Sequence, residues 1–166
     1  MPPAGDALSP GELRDLVEFL AGHRDQTPDL PLGGLKAESE ETGLGCVRVD
    51  RACSGSGLRV AGRDVERGVG VVSPSRLVYA IPSGSTAFVG SAGLDDSGRG
   101  GQVEFRVKVD GKLVWRSGPV RAGRQVRVSA PLPADAAKLE LVVDDGGTAG
   151  GTAADWLGAG FVKGLR

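Results

Sequence analysis

The sequence predicts a mainly β protein: a two-sheet antiparallel sandwich preceded by one amphipathic helix. Three observations predict it. Glycine is abundant, at 28 of 166 residues, while aromatic residues make up only 4%, a balance that suits short strands and tight turns better than helices. Apolar and polar residues alternate with period two through much of the chain after residue 43, as they do in strands with one buried face. Turn residues separate these runs at regular spacing with no helical pattern between them, which argues for stacked antiparallel sheets.

Residues 1–24 differ in kind from the rest. Leu13, Leu16, Val17 and Leu20 recur at helical spacing, Ser9 and Glu12 form a capping box, Pro10 opens the first turn and Gly22 follows the end, so an amphipathic helix is expected. A single helix of this length is marginal alone and needs a partner for its apolar face. Residues 25–42, with Pro28, Pro31, Gly33-Gly34 and an acidic run from Glu38 to Glu41, read as a linker and first edge. The sandwich is then expected over residues 43–166. Within it, an Ala61-Gly62 turn closes a short strand, and further strands are expected at 77–81 and 87–94. Val103, Phe105, Val107 and Val109 alternate with Glu104, Arg106 and Lys108, giving a half-buried strand. Asp110-Gly111 turns it into Leu113-Val114-Trp115, the strongest hairpin signal in the chain. Val126 and Val128, then Leu139, Leu141 and Val143, mark two more strands, and a last one follows Asp155. Trp115 and Tyr79 read as packing residues of their strands.

The length suffices for one domain with a real core plus an appendage. A net charge of −1 argues against a nucleic-acid or membrane-surface binder, which needs a basic excess. No apolar run approaches a membrane span, and the N-terminus lacks the pattern of an export signal. Two cysteines, Cys46 and Cys53, have no nearby histidines and cannot complete a four-ligand zinc site. A small disulfide loop and two buried thiols are both compatible with their spacing.

No catalytic constellation emerges. His23, the single histidine, sits at the end of the predicted helix, where a cation suits the dipole. There is no Gly-x-Ser-x-Gly elbow, and the glycine-rich run 146–151 lacks the lysine and following helix of a phosphate loop. It reads as a loop at one end of the sandwich. Asp95-Asp96 and Asp144-Asp145 each follow a strand and enter a glycine-rich loop. Such pairs ligate Ca²⁺ together with backbone carbonyls, or bond local N–H groups as turn residues. The turn reading suits Asp144-Asp145 better, and for Asp95 the two stand even. Neighbouring aspartates on one strand point to opposite faces, which argues against the facing carboxylates of a glycosidase.

From residue 58 to 79 the chain reads LRVAGRDVERGVGVVSPSRLVY. This stretch resembles the signature of the NPCBM family of carbohydrate-binding modules, whose usual form is close to L-x-I-G-G-x-x-Y-E-R-G-L-G-x-H-A-x-S-x-I-V-Y. Further blocks lie upstream at 43–50 and downstream at Gly93-Leu94-Asp95-Asp96, Val109-Asp110-Gly111-Lys112, Trp115-Arg116-Ser117-Gly118, 139–145 and Ala154-Asp155-Trp156. The resemblance covers residues 32–165. It implies a jelly roll of the galactose-binding-like type and a non-catalytic module for galactose-type glycans that holds an associated partner at a polysaccharide by avidity. It implies a sugar site on Arg76, Asp95, Asp155 and Trp156, in which Asp155 orients a hydroxyl. Trp156 is read both as a platform for the apolar face of a pyranose and as a core ring that locks the last strand. Calcium is the implied cofactor, with Asp95, Asp96 and Asp144 as candidate ligands, and the periplasm or cell exterior the implied location. Two departures stand out. Val72 replaces the histidine usual after the Gly-x-Gly, and Thr152-Ala153 replaces the Asp-His before Ala-Asp-Trp. Each lost imidazole removes a hydrogen-bond partner for a sugar, worth about ten- to hundredfold in affinity. The alternative is therefore a structural or protein-interaction sandwich with a degenerate pocket, docking a protein partner through the helix.

The first 24 residues look like the end of a class I c-type cytochrome domain, where a Met-Pro precedes a last helix and the methionine is an axial haem ligand. Met1 stands at that position, but no C-x-x-C-H exists, so no haem is expected. The segment reads as a remnant of a cytochrome fusion, and an ordinary capped helix against the sandwich fits the same residues.

Overall fold

The computed structural model describes residues 27–98, 101–145 and 151–164. Strands follow as β1 (Leu30–Pro31), β2 (Ser39–Glu41), β3 (Val47–Val49), β4 (Leu58–Val60), β5 (Arg63–Val65), β6 (Gly68–Val72), β7 (Ser75–Ala80), β8 (Ser85–Leu94), β9 (Gln102–Val109), β10 (Lys112–Arg121), β11 (Gln125–Pro131), β12 (Lys138–Asp144) and β13 (Ala153–Lys163). They build two stacked sheets, ordered β11-β8-β13-β6-β3, with β1 added beside β13, and β10-β9-β12-β7-β2. The β4–β5 hairpin forms a third, two-stranded unit. All pairings are antiparallel. Among the described residues there is no α-helix, and no helix is long and apolar enough to cross a membrane.

Alternation places the core. Val103, Phe105, Val107 and Val109 of β9 and Leu139, Leu141 and Val143 of β12 point inward, while Glu104, Arg106, Lys108, Glu140 and Val142 stay half-exposed on the other side. Across the interior they meet Val69, Val71, Phe88, Trp156 and Phe161 from the first sheet. Trp156 packs edge-on against Phe105 with ring centroids 5.2 Å apart, joining the sheets through a contact that aromatic quadrupoles favour. The predicted Asp110-Gly111 turn is present, with both residues at positive φ. The Asp110 carboxylate accepts hydrogen bonds from the Ala137 and Lys138 backbone N–H groups, the latter at 2.9 Å.

The first sheet is covered on its outer side as well, so β6 is buried at every position. A Cβ on Gly70 would stand 2.4 Å from the Arg51 carbonyl oxygen, and one on Gly160 would stand 2.3 Å from that of Leu30. These two positions need glycine because backbone lies directly upon them. The β4–β5 hairpin adds a satellite core in which Leu58 and Val60 pack with Leu157.

The sandwich starts earlier than the predicted boundary at residue 43. β1 already pairs with Phe161 and Gly160 of β13, and Leu32 is 1% exposed in the main core, so much of the expected linker is structural. A disulfide joins Cys46 and Cys53 and settles the two readings of those cysteines. The predicted helix, His23, the cytochrome-like segment with Met1 and most of the glycine-rich run 146–151 lie outside the described residues.

Candidate functional site

The pleat decides which of the predicted site residues can reach a ligand. In β13, Trp156 pairs with Val69 and turns inward, whereas Asp155 pairs with Gly70 and Gly93 and turns outward, beneath the covering backbone. Both are 0% exposed. Trp156 is a core ring and offers no face to a pyranose, so the platform reading is corrected by burial. Asp155 is likewise closed off from a sugar hydroxyl. Neither of its oxygens accepts a hydrogen bond from an N–H or hydroxyl group. Its partner is the carboxylate of Asp95, at the end of β8.

Asp95 is 3% exposed. It accepts hydrogen bonds from the backbone N–H groups of Arg59 at 3.2 Å and Ser97 at 2.9 Å, and from the Ser97 hydroxyl. Burial pushes Asp95 up, but donors from Asp155, Ser97 and Arg59 outweigh it and hold the carboxyl below its usual value. Burial, reinforced by the charges of Asp95 and Asp96, pushes Asp155 up to about 10. One member is thus ionised and the other keeps its proton and donates it, as a close carboxyl pair in a dry site requires. The pair is a closed structural device rather than a sugar contact.

The calcium candidates do not converge. Asp96 accepts from the backbone N–H groups of Ala61 at 3.1 Å and Gly62 at 2.8 Å, holding the β4–β5 turn. Asp144 lies on the other sheet and pairs with Arg106 at 2.9 Å. No three His, Cys, Asp or Glu residues among those described are grouped to hold a metal ion, and Asp96 and Asp144 do not share one site.

Arg76 does reach an open surface, on the outer face of the second sheet. Register sets Arg76 of β7 directly opposite Val142 of β12, and Val142 opposite Arg106 of β9. Glu41 of β2 continues the row beyond Arg76. An apolar floor between two guanidinium groups results. Glu140 raises Arg76 further through its hydrogen bond at 3.1 Å, and Glu104 does the same for Arg106, so both stay charged. Glu41, Arg76, Val142 and Arg106, with Thr42, Gly43, Pro74, Ser75, Val143 and Asp144, line a groove of about 360 Å³. A second depression of about 150 Å³, reached past Gln102 and Pro119, shares Arg106 and Asp144 with it. The Arg106–Asp144 ion pair therefore stands as the partition between two adjoining hollows. Donors, acceptors and a small apolar floor in a concave site are what a neutral polyhydroxylated ligand requires.

A family model described as the NPCBM/NEW2 domain matches residues 29–162. The chain belongs to the NPCBM/NEW2 domain family. Over 97 residues this NPCBM domain is 33% identical to alpha-1,3-galactosidase B of Akkermansia muciniphila, a match that takes in 57% of the chain and 12% of that protein. It therefore spans only a small part of that relative. Among solved structures it is similar to a CBM51 from Clostridium perfringens GH95 in complex with methyl-galactose. The TM-score is 0.73 at 27% identity, covering 80% of this chain and 99% of that one. It is similar as well to CBM51-2 with INT domains from Clostridium perfringens ZmpB, solved in complex with GlcNAc. There the TM-score is 0.72 at 30% identity, over 80% of this chain and 31% of that one.

The two positions at which the NPCBM signature carries histidine prove to be neighbours. Val72 and Ala153 are register partners across β6 and β13. They lie at the same end of the sandwich as the groove, since Gly43, on the groove wall, sits against the Ser73 carbonyl and the Val72 side chain. The Ser73 hydroxyl donates to Asp145 at 3.3 Å and accepts from the Thr152 N–H at 3.1 Å, tying both sheets together there. Sequence reasoning found Arg76 but missed Arg106, Val142 and Glu41. Their outward positions were legible, while the register that aligns them was not.

Proposed function

We propose that this NPCBM domain is a non-catalytic carbohydrate-binding module that holds galactose-type sugars in the groove of the second sheet. The observation that carries this reading is the row Arg76–Val142–Arg106, a floor with charged donors on both sides. Asp144 supplies acceptors beside it. Complexes of similar modules with methyl-galactose and GlcNAc support the ligand class. The carboxylates of the groove pair with arginines, Asp144 with Arg106 and Glu41 with Arg76, and stand as hydrogen-bond acceptors beside the guanidinium donors. The module's work is to raise the local concentration of an associated partner at a glycan.

A second reading is favoured by Val72 and Ala153: a sandwich whose sugar site has lost two donors and which serves protein interaction. Titration calorimetry with methyl-galactose and with GlcNAc separates the two. On the first reading the folded chain binds, and Arg76→Ala and Arg106→Ala each weaken binding by about ten- to hundredfold, the worth of a hydrogen bond to a charged group. A folded chain that binds neither sugar nor any glycan of a broad array sinks it in favour of the second.

A further inference from the structure

Leu44 is 89% exposed, the most exposed of the large apolar side chains described. It also holds φ 58° and ψ 13°, the left-handed region that a leucine enters only at a cost. Nothing in the core repays that cost, because the side chain is not buried. A strained, solvent-facing apolar residue therefore calls for a role outside folding.

Its surroundings fix it in place. Gly43 cannot carry a side chain, since a Cβ there would stand 2.4 Å from the Ser73 carbonyl oxygen. Gly45 follows with φ 64°. The turn is closed by hydrogen bonds from the Gly45 N–H to the Thr42 carbonyl at 3.2 Å and from the Cys46 N–H to the Gly43 carbonyl at 3.3 Å. Cys46 is then anchored by its disulfide to Cys53. Thr42 and Gly43, the residues just before Leu44, line the groove.

The groove lacks one component of a sugar site. A pyranose shows hydroxyl groups at its edges and a patch of C–H groups on a face, and binding modules cover that patch with apolar surface, commonly an aromatic ring. Here Tyr79, Phe88, Phe105, Phe161 and Trp156 are buried and Trp115 packs against the core. Among the described residues, no aromatic side chain lines the groove.

We infer that Leu44 is the apolar platform of the site, projecting from the rim to cover the C–H face of a pyranose whose hydroxyl edge lies toward Arg76 and Arg106. Galactose suits such a platform, because its axial 4-hydroxyl leaves one face as an unbroken C–H patch. This inference rests on the carbohydrate reading of the groove.

The test uses the full chain, methyl-galactose calorimetry and thermal unfolding on Leu44→Ala, Leu44→Gly and, as control, Leu113→Ala, an exposed apolar residue of β10. Leu44→Ala and Leu44→Gly are expected to weaken binding by about five- to tenfold through lost apolar contact, with melting temperatures at or above that of the parent. Leu113→Ala is expected to bind as the parent does. Unchanged affinity in both Leu44 variants, with a parent that binds, overturns the inference and leaves the groove reading standing. A lowered melting temperature in both would show that the side chain supports the fold, and also overturns it. A parent that binds no glycan overturns the groove reading and this inference together.

Discussion

Replacing Asp155 by asparagine tests whether the buried carboxyl pair is a proton-sharing device. In the folded domain Asp155 holds its proton up to about pH 10, against an ordinary value of 3.8. Between those limits the folded state binds a proton that the unfolded state has released, so stability is greatest at the acid end and falls as pH rises. One such proton gives a limiting slope of about 1.4 kcal/mol per pH unit, or roughly 4 kcal/mol between about pH 6 and pH 9. Asp95 carries the opposite sign, since its carboxyl is held below the usual value. Its contribution disappears only on acidification below the ordinary carboxylate range, so it leaves this window to Asp155. An asparagine at this position has no proton to lose, and its amide can still donate to Asp95. Urea midpoints across the window should therefore fall with pH in the parent and stay level in Asp155→Asn, with the two curves crossing so that the variant is the more stable at the alkaline end. Parallel curves, or a parent that does not respond to pH there, would refute the assignment of the proton to Asp155.

Two further outcomes follow from packing and covalent structure. Trp156→Ala should cost about 3–5 kcal/mol in urea unfolding, the usual cost of deleting a buried ring, while the fraction that remains folded binds glycan with parental affinity, because the ring faces Phe105 and not the groove. Replacing both Cys46 and Cys53 by serine should cost roughly 2–3 kcal/mol for so short a loop. It should weaken methyl-galactose binding as well, by loosening the turn that carries Leu44.

The sheet system was legible because its signals are local. The alternation from Val103 to Val109 and the Asp110-Gly111 turn specify a hairpin that neighbouring residues alone determine. The site was legible only in fragments. Asp155 and Trp156 stand together in a motif, but the pleat sends Trp156 into the core against Phe105 and Asp155 to the outer side, where the backbone of Arg51 and Ala52 covers it, so both vanish from the surface. Arg76, Val142 and Arg106 come from three distant stretches and meet through register alone. The pairing of Val72 with Ala153 likewise turns two separate departures from the family signature into one local change in chemistry.

The pairing of β1 with the end of β13 sets how such a module can be tethered. Leu30 lies beside Phe161, and the Lys163 N–H donates to Asp29 at 2.8 Å, so the strands nearest the two ends of the domain run side by side. The groove lies at the opposite end of β13, past Ala153 and Ser73, and the length of that strand separates the two by roughly 30 Å. The backbone beside Asp29 and Lys163 thus lies at the pole of the domain away from the groove proposed to meet the glycan.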